Sequence, residues 1–186
     1  MNTIVKIHGN SGSGKTTIIR NLFDQAEAVT KLGPNISKPE AYSFHIPGIQ
    51  LPIHVVGSYE NTCGGVDTIS NMDELVHLIH KYAPHGNVIY EGLLVSTYFG
   101  SAGRAMASYG DSHLWAFLDT PLEVCIERVK ARRLAAGNTK PFNEENTRNR
   151  DKPIKALREK LIKYGANVID LNYDKDPTSQ LLEYMK

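Results

Sequence analysis

Apolar positions along this 186-residue chain fall into two patterns, short continuous runs and longer spaced stripes. The runs Thr3-Ile4-Val5-Lys6-Ile7-His8, Val88-Ile89-Tyr90-Glu91-Gly92, Leu114-Trp115-Ala116-Phe117-Leu118 and Asn167-Val168-Ile169-Asp170-Leu171 lack alternation, as strands buried on both faces do. Residues 42–46 and 51–56 read as two more strands around a Pro47-Gly48 turn. Between the runs lie stripes at helical spacing. These are Ile18, Ile19, Leu22 and Phe23; Leu75, Leu78 and Ile79; Leu122, Cys125, Ile126 and Val129; and Ile154, Leu157, Leu161 and Ile162.

Boundary signals support the same division. Asn71 with Glu74 makes a capping box, and Pro84 and Gly86 end that helix. Thr120 is placed to cap, Pro121 to take the first helical position and Glu123 to complete the box, with Gly137 as the stop. Residues 96–109 predict a helix weakened by Gly100 and Gly103, residues 138–149 a polar irregular segment, and a short helix begins near Pro177. No repeat or linker interrupts this order. It predicts a single α/β domain over residues 1–186, a doubly wound parallel sheet covered on both faces, with one loop-rich excursion.

The first strand runs into Gly9-Asn10-Ser11-Gly12-Ser13-Gly14-Lys15-Thr16, with Thr17 following, and this matches G-x-x-x-x-G-K-[ST] at every fixed position. Strand, glycine loop and helix start are the context that the motif needs. Glycines let the backbone wrap a phosphate, successive N–H groups form an anion nest, and the helix N-terminus adds positive potential. Lys15 then reaches the β- and γ-phosphates and the Thr16 hydroxyl takes a place on Mg²⁺. The chain is expected to bind a nucleoside triphosphate.

Composition is that of an ordinary globular protein. No apolar run approaches a membrane span and no signal-peptide pattern opens the chain. Cys63 and Cys125 are too few for a disulfide framework or a zinc set, so a reducing, cytoplasmic setting is expected. Net charge is +1, but residues 128–163 hold twelve Lys/Arg against four Asp/Glu, and the remainder is correspondingly acidic. Such a basic third suits a surface that meets polyanions, either nucleotide phosphates or a nucleic-acid backbone, unless it is only a solvated helix face.

Three features add chemistry to the phosphate loop. Glu91 ends an apolar strand, where α/β folds place ligand-contacting groups. It suits Mg²⁺ held through water, or a base on an acceptor hydroxyl, or else a structural cap on the next helix. Arg128 and Arg132, with Arg133 beside them, share a helix face turned from the apolar stripe. They flank a segment at about 134–150 that reads as a lid, and Arg148 and Arg150 lie where it returns. Finally, Cys63-Gly64-Gly65-Val66-Asp67 combines backbone freedom with a second candidate base, Asp67. Cys63 itself has no supporting partner. Asp119 ranks behind Glu91 for a metal role, and His77, His80 and His85 read as surface residues. Tyr59, Tyr98 and Phe99 suit either base stacking or plain packing.

With the phosphate loop, the 88–92 strand and "LDTPLEVCIERVKARR", the chain resembles P-loop small-substrate kinases of the nucleotide-kinase type, which carry a short arginine-bearing lid. The combination of "GSYENTCGGVDTI", "IYEGLLVST" and "FLDTPLEVCIERVKARR" is similar to phage kinases that phosphorylate 5-hydroxymethyluracil within DNA, an early step of thymine hypermodification. The resemblance implies ATP and Mg²⁺ as cofactors, DNA carrying 5-hydroxymethyluracil as partner, and the host cytoplasm as setting. It implies Lys15, Glu91, Asp67, Arg128 and Arg132 in catalysis. Residues Gly9, Asn10, Ser11, Gly12, Ser13, Gly14, Lys15, Thr16 and Thr17 would hold the nucleotide, with Thr16 and Glu91 around the metal. A net charge of +1 departs from the stronger basicity of most DNA-binding domains. A kinase of a free nucleoside, nucleotide or small alcohol is the alternative acceptor reading. A nucleotide-gated switch is the alternative outside catalysis, although no N-K-x-D motif is present.

Overall fold

A computed structural model describes residues 2–61, 64–93 and 99–186. Its strands are β1 (Ile4–His8), β2 (Val29–Leu32), β3 (Ala41–Phe44), β4 (Ile53–Val56), β5 (Asn87–Glu91), β6 (His113–Leu118) and β7 (Asn167–Leu171). They form one seven-stranded sheet in the order β2-β3-β4-β5-β1-β6-β7. From β4 to β7 every pairing is parallel, whereas β2-β3 and β3-β4 are antiparallel. The fully parallel sheet expected from the sequence is therefore corrected to a mixed one. A tight turn at Pro47-Gly48 returns the chain beside itself, which makes β3 and β4 antiparallel. β2 was not anticipated at all. Its Val-Thr-Lys-Leu is almost wholly exposed at the sheet edge, so it carries no apolar run to betray it.

Helices are α1 (Lys15–Gln25), α2 (Met72–Tyr82), α3 (Phe99–Tyr109), α4 (Leu122–Ala135), α5 (Glu145–Lys163) and α6 (Pro177–Glu183). On one face of the sheet, Val5 and Ile7 pack with Ile18, Ile19 and Leu22 of α1 and Leu181 of α6. On the other, Ile4, Val88 and Tyr90 meet Leu75, Leu78 and Ile79 of α2, while Trp115 and Phe117 meet Ile154, Leu157 and Leu161 of α5. Each such side chain, removed from water, stabilises the fold by about 1.5–3 kcal/mol. The second face also buries Lys6, 5.3 Å from the Trp115 ring, and His113, whose Nε2 lies 2.8 Å from the Tyr90 hydroxyl. Burial brings Lys6 down to about 7 and His113 to about 3.

Several boundaries differ from the sequence expectation. Asn71 does cap α2, its side chain accepting from Glu74 N at 2.9 Å, but the Glu74 carboxylate reaches back to Ser70. α4 begins at Leu122 behind Pro121 with no side-chain cap, because the Thr120 hydroxyl donates instead to Ser13 O at 2.8 Å. α5 starts at Glu145, well before its expected onset, and runs through Pro153. The segment between α4 and α5 is accordingly shorter than the 134–150 lid read from sequence, and Arg148 and Arg150 are helical. Ile162 is half-exposed, the buried α5 stripe being Thr147, Ile154, Leu157 and Leu161. The part of the 96–109 helix before Phe99, Tyr98 included, lies outside the described residues, as does Cys63.

Candidate active site at the phosphate loop

β1 delivers the chain to the carboxyl edge of the sheet at His8, and the loop 9–14 carries it into α1. Gly14 sits at φ 109 and puts no side chain over the first turn, so the leading N–H groups of α1 are left for a ligand. Gly12, at φ 81, is pressed on α4: a Cβ there would lie 2.3 Å from Cys125 O. Only glycine fits both requirements. Among the described residues, the buried Ser13 hydroxyl has no hydrogen-bond partner. Asn10 braces the loop, its Oδ1 accepting from Ser11 N and its Nδ2 donating to Thr147 O of α5, each at 2.8 Å.

A cleft of about 650 Å³ opens over this loop. Residues 11–17 line it, together with Glu91, Asp67, Arg128 and Arg132. Gly9 and Asn10 back onto a second cavity of about 380 Å³ under α5, with their carbonyl oxygens turned to Lys15. Lys15 is buried, and its Nζ donates to Gly9 O and Asn10 O, both at 2.9 Å. Burial lowers its pKa, against the opposing pull of the Glu91 and Asp67 carboxylates.

Glu91 closes β5 in register with Ile7 of the neighbouring β1, which brings its carboxylate to the start of α1. Thr16 Oγ1 donates to Glu91 Oε1 at 3.0 Å. Burial pushes the Glu91 carboxyl up, while the Lys15 charge and the Thr16 bond hold it down. The double glycine is the reason this carboxylate can be enclosed. A Cβ on Gly65, at φ 85, would lie 2.3 Å from Glu91 O and 2.8 Å from its Oε1, and one on Gly64 would strike Tyr59. Asp67 stands on the 3₁₀ turn Val66–Thr68, and its Oδ2 accepts from Leu93 N at 2.8 Å. It faces the cleft and also pins the chain just past Glu91.

Arg128 and Arg132 both reach the cleft, as their shared helix face suggested. Arg128 Nη1 donates to Ser13 O at 3.4 Å, and its guanidinium lies 5.7 Å from the Tyr173 ring. Arg133 turns away, donating to Asn138 Oδ1 and Lys140 O. Arg148, expected at the returning lid, is tied to Glu123 and Glu144. Asp119 accepts from Tyr173 N at 2.8 Å and lines the second cavity, not the cleft. Tyr59 packs edge-on against Phe23 and Tyr42, which excludes base stacking, and Phe99 packs on Tyr164. His80 bonds to the Tyr109 hydroxyl.

Sequence reading missed Asn21, Tyr173 and Pro177 at one end of the cleft and Leu93 at the other. Tyr173 and Leu93 follow the carboxyl ends of β7 and β5, a position that marks ligand contacts in α/β sheets and was the available signal.

The site fits a bound nucleoside triphosphate with a divalent metal. An uncapped helix start, a buried lysine and an unpartnered buried hydroxyl suit phosphate oxygens. Thr16 and Glu91 offer the hard oxygen donors that Mg²⁺ takes, one or two at a time, beside water and phosphate. Among the described residues, no group of three or more His, Cys, Asp or Glu could hold a metal by itself. Among the described residues, no helix is long and apolar enough to cross a membrane.

No family model matches the chain. Among curated proteins, it is 36% identical over 178 residues to a 5-hmdU DNA kinase of Pseudomonas phage PaMx11, covering 92% of this chain and 91% of that one. A 5-hmdU DNA kinase of Pseudomonas phage M6 is 28% identical, covering 91% of each. One of Delftia phage PhiW-14 is 25% identical over 87% of this chain and 65% of its own. A solved gluconokinase from Sinorhizobium meliloti 1021 superposes with a TM-score of 0.48 at 12% identity, over 99% of this chain and 93% of that one, too loosely to bear on the chemistry. With a curated relative this similar along nearly its whole length, the chain belongs to the 5-hmdU DNA kinase family.

Proposed function

We propose that the chain transfers the γ-phosphoryl group of ATP to the hydroxymethyl oxygen of 5-hydroxymethyluracil carried in DNA. The observation that carries the chemistry is the Thr16–Glu91 hydrogen bond beside the buried Lys15, which sets a cation, a hydroxyl and a carboxylate around one point of the cleft. The acceptor is taken from the family to which the chain belongs. ATP with Mg²⁺ supplies the activated phosphoryl group and offsets its negative charge.

The chain's own residues then divide the work. The loop N–H groups and Lys15 hold the terminal phosphates, exchanging Lys15's bonds to Gly9 O and Asn10 O for phosphate oxygens. Thr16 and Glu91 are the residues that would hold the metal ion at this point. Arg132, on the exposed end of α4, closes over the transferring group as a short lid, and Arg128 holds the neighbouring wall through Ser13. The acceptor oxygen forms a bond to phosphorus as the β,γ-bridging bond breaks, and its proton passes to a carboxylate, Asp67 or Glu91. A base in duplex must leave the stack for its hydroxymethyl group to reach the enclosed point between Lys15, Thr16 and Glu91. Residues 1–186 act as one domain, in the host cytoplasm.

Labelled ATP with Mg²⁺ tests the reading. Label on DNA containing 5-hydroxymethyluracil, and none on thymine DNA, is expected. Label confined to a free nucleoside overturns the DNA acceptor and favours a metabolite kinase. Asp67→Asn is expected to spare ATP binding and depress transfer; unchanged transfer removes Asp67 from the chemistry.

A further inference from the structure

The basic third of the chain is not uniformly basic once folded. Lys130 pairs with Glu144 and Glu127, and Arg148 with Glu123 and Glu144. Lys155 pairs with Asp151, and Arg158 with Asp170. Glu123 and Asp170 come from outside the basic stretch, so folding lowers its effective charge below the count along the chain. Among the described residues, no carboxylate lies within ion-pair reach of Arg132, Arg133 or Lys140; Arg150, Lys152, Lys160 and Lys163 of α5 are likewise unpaired, but none of them lines the cleft. Arg133 spends its donors on two neutral oxygens, Asn138 Oδ1 and Lys140 O, and its guanidinium lies 5.7 Å from the Phe142 ring. Those bonds hold the α4–α5 connection against the end of α4, one residue along from the cleft-lining Arg132.

We infer that the Arg133–Lys140 rim is the surface on which the DNA backbone rests while its target base enters the cleft. The inference rests on the DNA-acceptor reading above and deepens it. Uncompensated cations attract phosphate without releasing a protein carboxylate first, whereas the paired cations of α5 must break an ion pair to do the same. Arg133 keeps the connection in shape, and the exposed Lys140 ammonium, with no ion pair of its own, makes the phosphate contact. Such contacts fix register and carry no sequence information, so the reading of 5-hydroxymethyluracil is left to the cleft. The low overall charge of the chain then ceases to conflict with DNA binding, since the cations that matter are few and placed at the mouth.

Lys140→Gln tests this, with Lys163→Gln as control. Among the described residues Lys163 also has no ion pair, but it ends α5 just before β7 begins, at the sheet edge opposite the phosphate loop. Binding of the full chain to an oligonucleotide containing 5-hydroxymethyldeoxyuridine is followed by anisotropy across a salt series. Lys140→Gln is expected to flatten the dependence of log affinity on log salt by about one, while Lys163→Gln leaves it alone. The change should be equal on a thymine oligonucleotide, and the KM for ATP should not move. If the parent chain phosphorylates the modified DNA but Lys140→Gln keeps the full slope, or Lys163→Gln loses as much, the surface is overturned and the acceptor reading stands. If the parent chain phosphorylates only the free nucleoside, the acceptor reading falls and this surface with it.

Discussion

The wall around Lys15 and the rim around Arg132 both present cations to one cleft, yet they are built in opposite ways. Lys15 is buried and doubly bonded, Thr16 is fastened to Glu91, and Gly65 packs so close to Glu91 that no side chain fits between them. Arg132 is exposed at the end of a helix, and the ion pairs around it join solvent-facing side chains. Burial raises the electrostatic effect of each charge on the first wall and fixes its position before any substrate arrives. On the rim, water screens each charge and leaves the side chain free to follow a polymer. In the function proposed above, the wall that holds the donor is preorganised, and the rim that meets the DNA adapts.

The largest effect should follow from Lys15→Ala. Transfer to every acceptor is expected to fall by about three orders of magnitude or more, read as kcat/KM for ATP. A modest loss would mean that the two walls share the donor work.

Glu91→Gln is expected to lower kcat by roughly 10²–10⁴, without lowering the thermal midpoint at neutral pH. The folded state raises the Glu91 pKa, so it binds this proton more tightly than the unfolded chain does. Stability from this group is therefore present at acid pH and is lost as pH rises from the ordinary carboxylate range through the raised value. Gln removes that loss. The acid limb of kcat/KM in the parent chain should correspondingly lie above the ordinary carboxylate range. A limb at the usual carboxylate value would show that Glu91 is more solvated than its enclosure implies.

Gly65→Ala should come next. It forces a side chain into positive φ and against Glu91 O, at a cost of about 1–3 kcal/mol for the backbone alone, and it should reduce kcat by displacing Glu91. Denaturant unfolding and steady-state kinetics read the two effects separately; a stable, fully active variant would show that the wall yields like the rim. The smallest effect should be that of Arg148→Ala. Its exposed pairs with Glu123 and Glu144 are screened by solvent, and no measurable shift in thermal midpoint is expected. A clear drop would make the rim a second structured wall.

How much of this was legible beforehand follows the same division. The phosphate loop could be read because its demands are local: positive φ at Gly12 and Gly14, a lysine at the helix start, a strand in front. Glu91 could be placed at a sheet edge from the run that it ends, but its bond to Thr16 depends on β5 lying beside β1, which no local pattern states. The use of Thr120 was misread because a threonine before a proline looks like a cap, and only the packed loop shows that its hydroxyl donates to Ser13 O. Pro153 hid the first two turns of α5, since a proline ordinarily marks a helix boundary. Tyr173 reaches the cleft through the last crossover, far along the chain from everything it meets.

The contact between Gly12 and Cys125 has a mechanical meaning as well. Together with the Thr120 and Arg128 bonds to Ser13 O, it fastens the first half of α4 to the phosphate loop, and the helix runs on from there as an arm that ends in Arg132 and Arg133. From Cys125 to Arg133 that arm is about 12 Å long, so a tilt of about 10° at its root swings the tip by about 2 Å. In the lid proposed above, a displacement of the loop as it takes up phosphate is thereby passed along α4 to Arg132.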